Sequence, residues 1–380
     1  MPPRESKGLN LLIYPSALLS SGRLGKIANS LQASGEFDET QIVGIDDGSE
    51  QRSGELARGV RVVRMPGAQL SDVLGGIRMM LFWPLRVYRH YRRQRLRAVS
   101  AQNVYLLPLA YHLARKTGAI FVYNAHELET ETIGAKGFKQ KIAKYLERRY
   151  IQHADVVSVV NDSIAEWYSA HYEGVQPVVL TNTPIDDGTS VDLRGLLEVP
   201  NDELLYIHVG FLMEGRNIPL LLETFSAHAT AHLAFLGDGL LRPEVAAAAA
   251  EFPNIHLLDT VPPESVVGVV RGADVGICLI EYVSLSDKLS TPNKLMEALA
   301  AGIPPLTSDL IEARRLLGPQ LSDAWILESP AEQLGAALER IGPQDIVRFR
   351  KQWQGIPSWD EQAVRLVEAY TEAFSNRGLS

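Results

Sequence analysis

Short apolar runs alternate with segments of helical length along this chain, and the pattern occurs twice. In the first half the runs are LNLLIYP, QIVGID, RVVRM, AIFVYNA, ADVVSVV and PVVLTN, separated by stretches such as SGRLGKIANSLQ and KQKIAKYLERRYIQ. Brief strands rich in Val, Ile and Leu, with helices between them, give a parallel sheet covered on both faces. After Asn182 comes TPIDDGTSVDLRGLLEVPND, rich in Asp, Pro and Gly and expected to connect two domains. The alternation then restarts with LLYIHVG, HLAFLG, IHLLD, DVGICLI and PPLTS, and with helices such as IPLLLETFSAHA and PNKLMEALAAG. The chain ends in SWDEQAVRLVEAYTEAF, where Ser358 with Glu361 three residues on forms a capping-box pattern. Val364, Leu366, Val367 and Tyr370 follow at helical spacing. The expected organisation is α/β: a Rossmann-like domain over 1–184, a linker over 185–201, a second over 202–356, and a C-terminal helix over 357–380 that returns to the first domain. Ligands of open parallel sheets bind beyond the carboxyl ends of the strands, so two such domains facing across a cleft place their chemistry there.

Composition excludes several classes. One cysteine in 380 residues, Cys278 in the apolar run VGICLI, rules out an internal disulfide framework and a cysteine-rich zinc site, and reads as a core residue. No stretch approaches the roughly 18 apolar residues of a spanning helix. MPPRESKGLN lacks the apolar core and small-residue cleavage site of a signal peptide, so the expected location is the cytoplasm. A formal net charge of −8 argues against nucleic acid as a partner.

Three stretches can carry chemistry. In LSTPNKLMEALAAG, Ser290 or Thr291 can cap a helix with Pro292 in its first turn, which creates a site for an anion such as a diphosphate. Glu297 shares a helix face with Asn293 and Lys294, and its carboxylate could accept hydrogen bonds from ribose hydroxyls. An ordinary capped helix with solvated Glu and Lys would look the same in isolation. In HVGFLMEGRNIPLLLETF a strand runs into Gly210, and a loop with Gly215 and Arg216 leads to a helix. Glycines admit a phosphate, and an arginine there can neutralise a departing nucleotide, although a glycine turn with a surface arginine is the plainer explanation. In YNAHELETE, His126 and Glu127 follow a strand's carboxyl end; a solvated loop is the alternative. No second histidine at metal-ligand spacing accompanies His126, and no metal site is expected.

Together these stretches, with SGRLGKIANSLQASGEF, VVLTNTP, HLAFLGDGLLR, ADVGICLIE and TPNKLMEALAAGIPPLTSD, make the chain resemble the retaining GT-B glycosyltransferases of glycosyltransferase family four over nearly its whole length. The resemblance implies the GT-B fold and transfer of a sugar from a nucleotide diphosphate sugar with retention at the anomeric carbon. It implies no bound metal and no cofactor beyond that co-substrate. The acceptor it implies is a saccharide or lipid-linked saccharide in bacterial surface polysaccharide or glycolipid synthesis. Glu297 matches the glutamate that holds the ribose, Arg216 the basic residue on the diphosphate, and His126, with Glu127 beside it, the first-domain histidine facing the transferred sugar. Gly237 and Gly239 of LGDG, and DTVP beyond Leu258, fall where the family lines the base. Two positions depart from the pattern: Leu289 stands where a second glutamate is common, and Phe211 where an arginine follows the strand glycine. Glu281 or Lys288 are candidate replacements. These departures keep two other readings open, a non-catalytic GT-B partner subunit and a sugar-nucleotide epimerase.

One segment is set apart by charge. MMLFWPLRVYRHYRRQRLR, Met79 to Arg97, carries six arginines, and no acidic residue occurs from Val73 to His126. A helical projection places Phe82, Arg86, Arg89, Arg93 and Arg97 in one stripe with Met79 and Trp83 beside it, and Val87, Tyr88 and Tyr91 opposite. Pro84 can kink or start that helix. Aromatic and basic groups side by side suit an interfacial helix on an anionic membrane, so the enzyme is expected to be peripheral at the inner face of the membrane.

Overall fold

The structure, a computed structural model, describes residues 6–16, 22–46, 53–66 and 73–379. The chain divides into two compact units: residues up to Thr181 together with Asp360 onward, and Asn182–Trp359.

The first unit carries an eight-stranded sheet built from β1 (Leu9–Ile13), β2 (Glu39–Asp46), β3 (Ser53–Ala57), β4 (Val60–Pro66), β5 (Leu96–Ala101), β6 (Ile120–Asn124), β7 (Val156–Val159) and β8 (Val178–Val179). Their order is β3-β4-β2-β1-β5-β6-β7-β8, and every pairing is parallel except β3 with β4. β1 lies centrally, with Leu12 opposite Ile42 on one side and Ser100 on the other. All five of its residues are buried, as expected of a strand covered on both faces. The six strands expected in this half are present, and two more join them, β3 and β5.

β5 changes the reading of the arginine segment. The helix Val73–Tyr91 stops at Tyr91, and Leu96 and Arg97 open a central strand, so the stripe does not continue as a helix. Arg93 lies in the intervening turn. Arg97 pairs with Glu36 at 3.1 Å, and its guanidinium sits 4.3 Å above the Phe374 ring of the C-terminal helix. Trp83 also departs from the expectation: it is 3% exposed and shares the buried ridge with Val87 and Tyr91, spaced i, i+4, i+8. The helix runs through Pro84 without interruption. Met79 lies outside the described side chains.

The second unit is a fully parallel six-stranded sheet of β9 (Leu204–Val209), β10 (Ala231–Leu236), β11 (Ile255–Leu258), β12 (Val275–Cys278), β13 (Pro305–Ser308) and β14 (Ile326–Leu327), ordered β11-β10-β9-β12-β13-β14. Successive β9 residues feed opposite cores. Tyr206 joins Phe235 and Ile277 on one face, while Leu205, Ile207 and Val209 join Ala234 and Leu236 on the other. Cys278 is buried and free, and burial raises its thiol to about 11.

The segment 185–201, read from composition as a linker, packs onto the second unit. Arg271 bonds the Thr189 carbonyl and pairs with Asp186, Val191 N–H donates to the Gly268 carbonyl at 3.1 Å, and Leu193 and Val199 are buried. Its Asp and Gly residues make local turns, such as Thr189 N–H to the Asp187 carboxylate at 2.9 Å, rather than a free chain. The final helix, Trp359–Asn376, belongs to the first unit. Tyr370 and Phe374 meet Phe37 edge to face, Gln362 accepts from Thr181 N–H at 3.2 Å, and Arg377 pairs with Asp155 at 2.7 Å. Val364 is 57% exposed, so the apolar stripe expected on this helix is narrower than its spacing suggested.

Candidate functional site

In the second unit the strand ends organise the site. β9 runs into Gly210, whose φ of +106° favours glycine and whose missing side chain faces open space. The glycines of LGDG have a different cause. A Cβ on Gly237 would lie 1.9 Å from the Gly210 carbonyl oxygen and one on Gly239 2.4 Å from that of Leu212. Leu212 N–H donates to the Asp238 carbonyl at 2.9 Å, and Leu241 N–H to that of Leu212 at 2.9 Å. Gly237 and Gly239 are glycine because the loops after β9 and β10 pack backbone on backbone. The Gly210 loop is also tied to the chain beyond β12: the Gly215 carbonyl accepts from Glu281 N–H at 3.2 Å. This joins the Glu281 backbone to the Arg216 loop, while the Glu281 side chain is exposed.

The helix expected from PNKLMEALA spans Asn293–Ala300, and its buried residues Leu295, Met296, Ala298 and Leu299 fix its inward face. Its N-cap position is taken by Pro292, which gives no side-chain cap, rather than by Ser290 or Thr291. Ser290 Oγ instead donates to the Asp287 carbonyl at 2.7 Å, which closes the short helix Leu285–Lys288. Asn293 Oδ1 accepts from Asn182 Nδ2 at 3.0 Å. Lys294 and Glu297 are both partly buried on the same side, and Lys294 Nζ lies 3.3 Å from His208 Nε2. Arg216 lies close enough for its charge to act on Lys294, and Glu297 acts on the same ammonium with opposite sign. Desolvation is the largest influence and, with Arg216, lowers Lys294 to about 8. The structure thus brings Gly210, Arg216, Lys294 and Glu297 together with His208 at the carboxyl end of the central strand. Lys288 is exposed on its short helix, Leu289 is buried, and Phe211 is 74% exposed where the resemblance expects an arginine.

In the first unit, His126 follows β6. Its Nε2 is 2.9 Å from Gln102 Oε1, and Gln102 Nε2 in turn donates to Ser100 Oγ at 2.7 Å, an arrangement that assigns the imidazole proton to Nε2. The ring stacks on Tyr14 at 6.1 Å. Burial, reinforced by the charge of Arg23, lowers the imidazole to about 3, so His126 is neutral at pH 7. Arg23 is itself buried, with Nη1 donating to the Leu180 carbonyl at 2.6 Å, and burial lowers it to about 10. Glu127 is exposed beside this group. Two residues further, Glu129 is buried against Val104 N–H at 2.6 Å, and desolvation raises its carboxyl well above the usual range.

Sequence reasoning missed His208, Asn182, Gln102 and Arg23. Two of them carried a signal: a histidine inside the apolar strand LLYIHV, and an arginine next to the core-facing Leu24 at the start of a helix. Gln102 and Asn182 carried none, since amides after strands are common in solvated loops.

Residues 22–183 match the family model "Glycosyl transferase 4-like domain", and residues 204–342 match "Glycosyl transferases group 1". A search of curated proteins returns no match. Among solved structures, sucrose-phosphate synthase from Thermosynechococcus elongatus superposes with a TM-score of 0.76 at 15% identity, covering 97% of this chain and 100% of that one. Anabaena HepE in complex with UDP and glucose gives 0.64 at 13% identity, with coverage of 97% and 99%. The catalytic domain of Arabidopsis thaliana starch synthase IV, bound to ADP and acarbose, gives 0.67 at 12%, with coverage of 97% and 100%. With a glycosyl transferase 4-like domain followed by a group 1 domain on two parallel-sheet α/β units, the chain is a GT-B glycosyltransferase.

Proposed function

We propose that this enzyme transfers a hexose-type sugar from a nucleotide diphosphate sugar, with retention of configuration, to a lipid-linked saccharide of bacterial surface polysaccharide or glycolipid synthesis. The observation that carries the donor assignment is the convergence of Arg216, Lys294 and Glu297 at the end of β9 and the start of the helix Asn293–Ala300. Two cations and a helix N-terminus suit a diphosphate, and a carboxylate one turn in suits ribose hydroxyls. In the reaction the acceptor oxygen bonds to the anomeric carbon, the bond to the diphosphate breaks, and the acceptor's proton passes to the leaving phosphate oxygen. Arg216 and Lys294 stabilise the charge that develops there, so this design does not rely on a metal ion. His126, neutral and pinned by Gln102, serves as a hydrogen-bonding group to the sugar rather than as an acid.

A thermal-shift panel of UDP, GDP, ADP and dTDP sugars tests the reading. One base class should raise the melting temperature, and Glu297→Ala should abolish that rise. No shift with any donor favours the non-catalytic subunit, and a changed sugar nucleotide without acceptor favours the epimerase.

The lipid-linked acceptor draws support from two helices of the first unit. Val73–Tyr91 exposes Phe82, Leu85, Arg86 and Arg89, and Phe138–Tyr150 exposes Phe138 and Tyr145 among Lys139, Lys141, Arg148 and Arg149. From Val73 to Tyr150 fifteen Lys and Arg face four carboxylates, of which Glu129 and Glu147 are buried. Such surfaces suit anionic lipid headgroups, with apolar rings entering the interface. No helix among the described residues is long and apolar enough to cross a membrane.

A further inference from the structure

His208 is the second-last residue of the central strand β9 and is 0% exposed. It lies on the sheet face shared with Tyr206 and Phe235, and the Phe235 ring is 5.6 Å away. A buried imidazole in such a core needs partners for both nitrogens. Nδ1 has no hydrogen-bond partner, and Nε2 has one, the Lys294 ammonium at 3.3 Å. A core histidine that spends its only bond on a site lysine is placed to serve that lysine.

We propose that His208 is a positioning residue for donor binding: it holds the Lys294 amine from the core side, and the arrival of a nucleoside diphosphate draws a proton onto that amine. The inference rests on the donor-site reading above and adds the group that orients its lysine.

Two hydrogen-bonding states are open to the pair. With Lys294 protonated, Nε2 accepts and the imidazole proton must sit on the partnerless Nδ1, which costs the desolvation of a buried donor. With Lys294 neutral, Nε2–H donates to the amine and Nδ1 keeps only an unpaired acceptor. The surrounding charges set the balance. Arg216 opposes a charge on Lys294 and Glu297 favours it; Cys278, buried on β12, also bears on the amine. Burial, followed by the charges of Lys294 and then Arg216, holds His208 neutral. An ammonium held at about 8 is partly discharged in the free enzyme near that pH. A bound diphosphate adds negative charge beside it and shifts it to the charged state.

Calorimetric titration with UDP, GDP, ADP and dTDP, in buffers of differing ionisation enthalpy, tests the proposal. For the nucleotide that binds, a fraction of a proton should be taken up per site near pH 8, giving way to net release toward pH 6, where the terminal phosphate of the free nucleotide, with a second ionisation at about 6, is partly protonated and loses that proton on binding. His208→Leu, which keeps volume but no acceptor, should weaken binding about tenfold, while the proton uptake, set by desolvation and Arg216, persists. His208→Gln, with a polar group near the Nε2 position, should restore most of the affinity. Binding without proton uptake, or His208→Leu binding like the wild type, overturns the proposal and leaves the donor site standing. Failure of all four nucleotides to bind overturns both. The uptake measurement needs no variant, so a misfolded His208→Leu does not remove the test.

Discussion

Arg216 and Lys294 in the second unit, and Arg86 and Arg89 in the first, are all cations on or beside helices, yet their surroundings differ in kind. The first pair is partly buried, close enough for one charge to depress the other, and backed by a core histidine and a carboxylate. The second pair is exposed, with Arg86 bonded to the Pro66 carbonyl at the surface. Desolvated cations interact strongly at short range and with geometric selectivity, as a diphosphate site requires. Solvated cations act additively and weaken with salt, as a surface that meets many headgroups requires. Few charges held close make a site, whereas many charges spread over water make a dock.

The comparison can be broken most severely at Trp83. Because it is buried with Val87 and Tyr91, Trp83→Ala should destabilise the protein by about 3–5 kcal/mol in chemical denaturation. Phe82→Ala, at 61% exposure, should cost no more than about 0.5 kcal/mol and should weaken vesicle binding instead. Equal effects on stability would mean that the two neighbours do not divide between core and surface. Next in size, Arg216→Ala or Lys294→Ala should each lower nucleotide affinity about a hundredfold by calorimetry. The double variant should lose less than the product of the two, since the charges share one ligand.

Arg86→Ser with Arg89→Ser should reduce sedimentation with anionic vesicles about tenfold and leave nucleotide affinity unchanged, the reverse of the Lys294 outcome. Arg97 belongs outside that set: its removal should show as lost stability, because it holds Glu36 and Phe374 inside the fold. The smallest expected effect is on pH dependence. His126 has a folded pKa of about 3 against an ordinary 6.5, so the unfolded chain binds more protons between those values. Stability therefore falls as pH drops from 6.5 toward 3 and is level below that. His126→Gln should flatten that limb of the melting temperature, and an unchanged limb would assign it to other groups, among them His256, which burial lowers to about 4.

Much of the fold was legible from local pattern. Val, Ile and Leu runs of strand length located most strands, and PNK marked the helix start within a residue. β5 was missed because LRAVSA takes in Arg97, the last arginine of a basic run, and a helical projection has no means of registering that the chain has turned. Trp83 was placed on the wrong face for the same reason: an aromatic beside arginines fits either a membrane interface or a core until its neighbours across the sheet are known. In the site, Gly210, Arg216 and His126 were legible as residue types after strands, and Lys294 and Glu297 as residue types on the first turns of a helix. Their partners were not: His208 and Arg23 stood out as polar residues in apolar surroundings, but what they meet is fixed by segments distant in sequence, and Gln102 carried no signal at all.

The sequence by itself determined the double α/β alternation, the glycines and prolines that end strands and open helices, and the separation of a basic stretch from an acidic whole. These follow from periodicity and backbone preference, which act over a few residues. The tertiary structure alone decided that Gly237 and Gly239 serve loop packing, that residues 185–201 belong to the second unit, and that a core histidine underlies Lys294. Desolvation and close approach depend on what the rest of the chain brings to a point, and that is fixed only when distant segments pack.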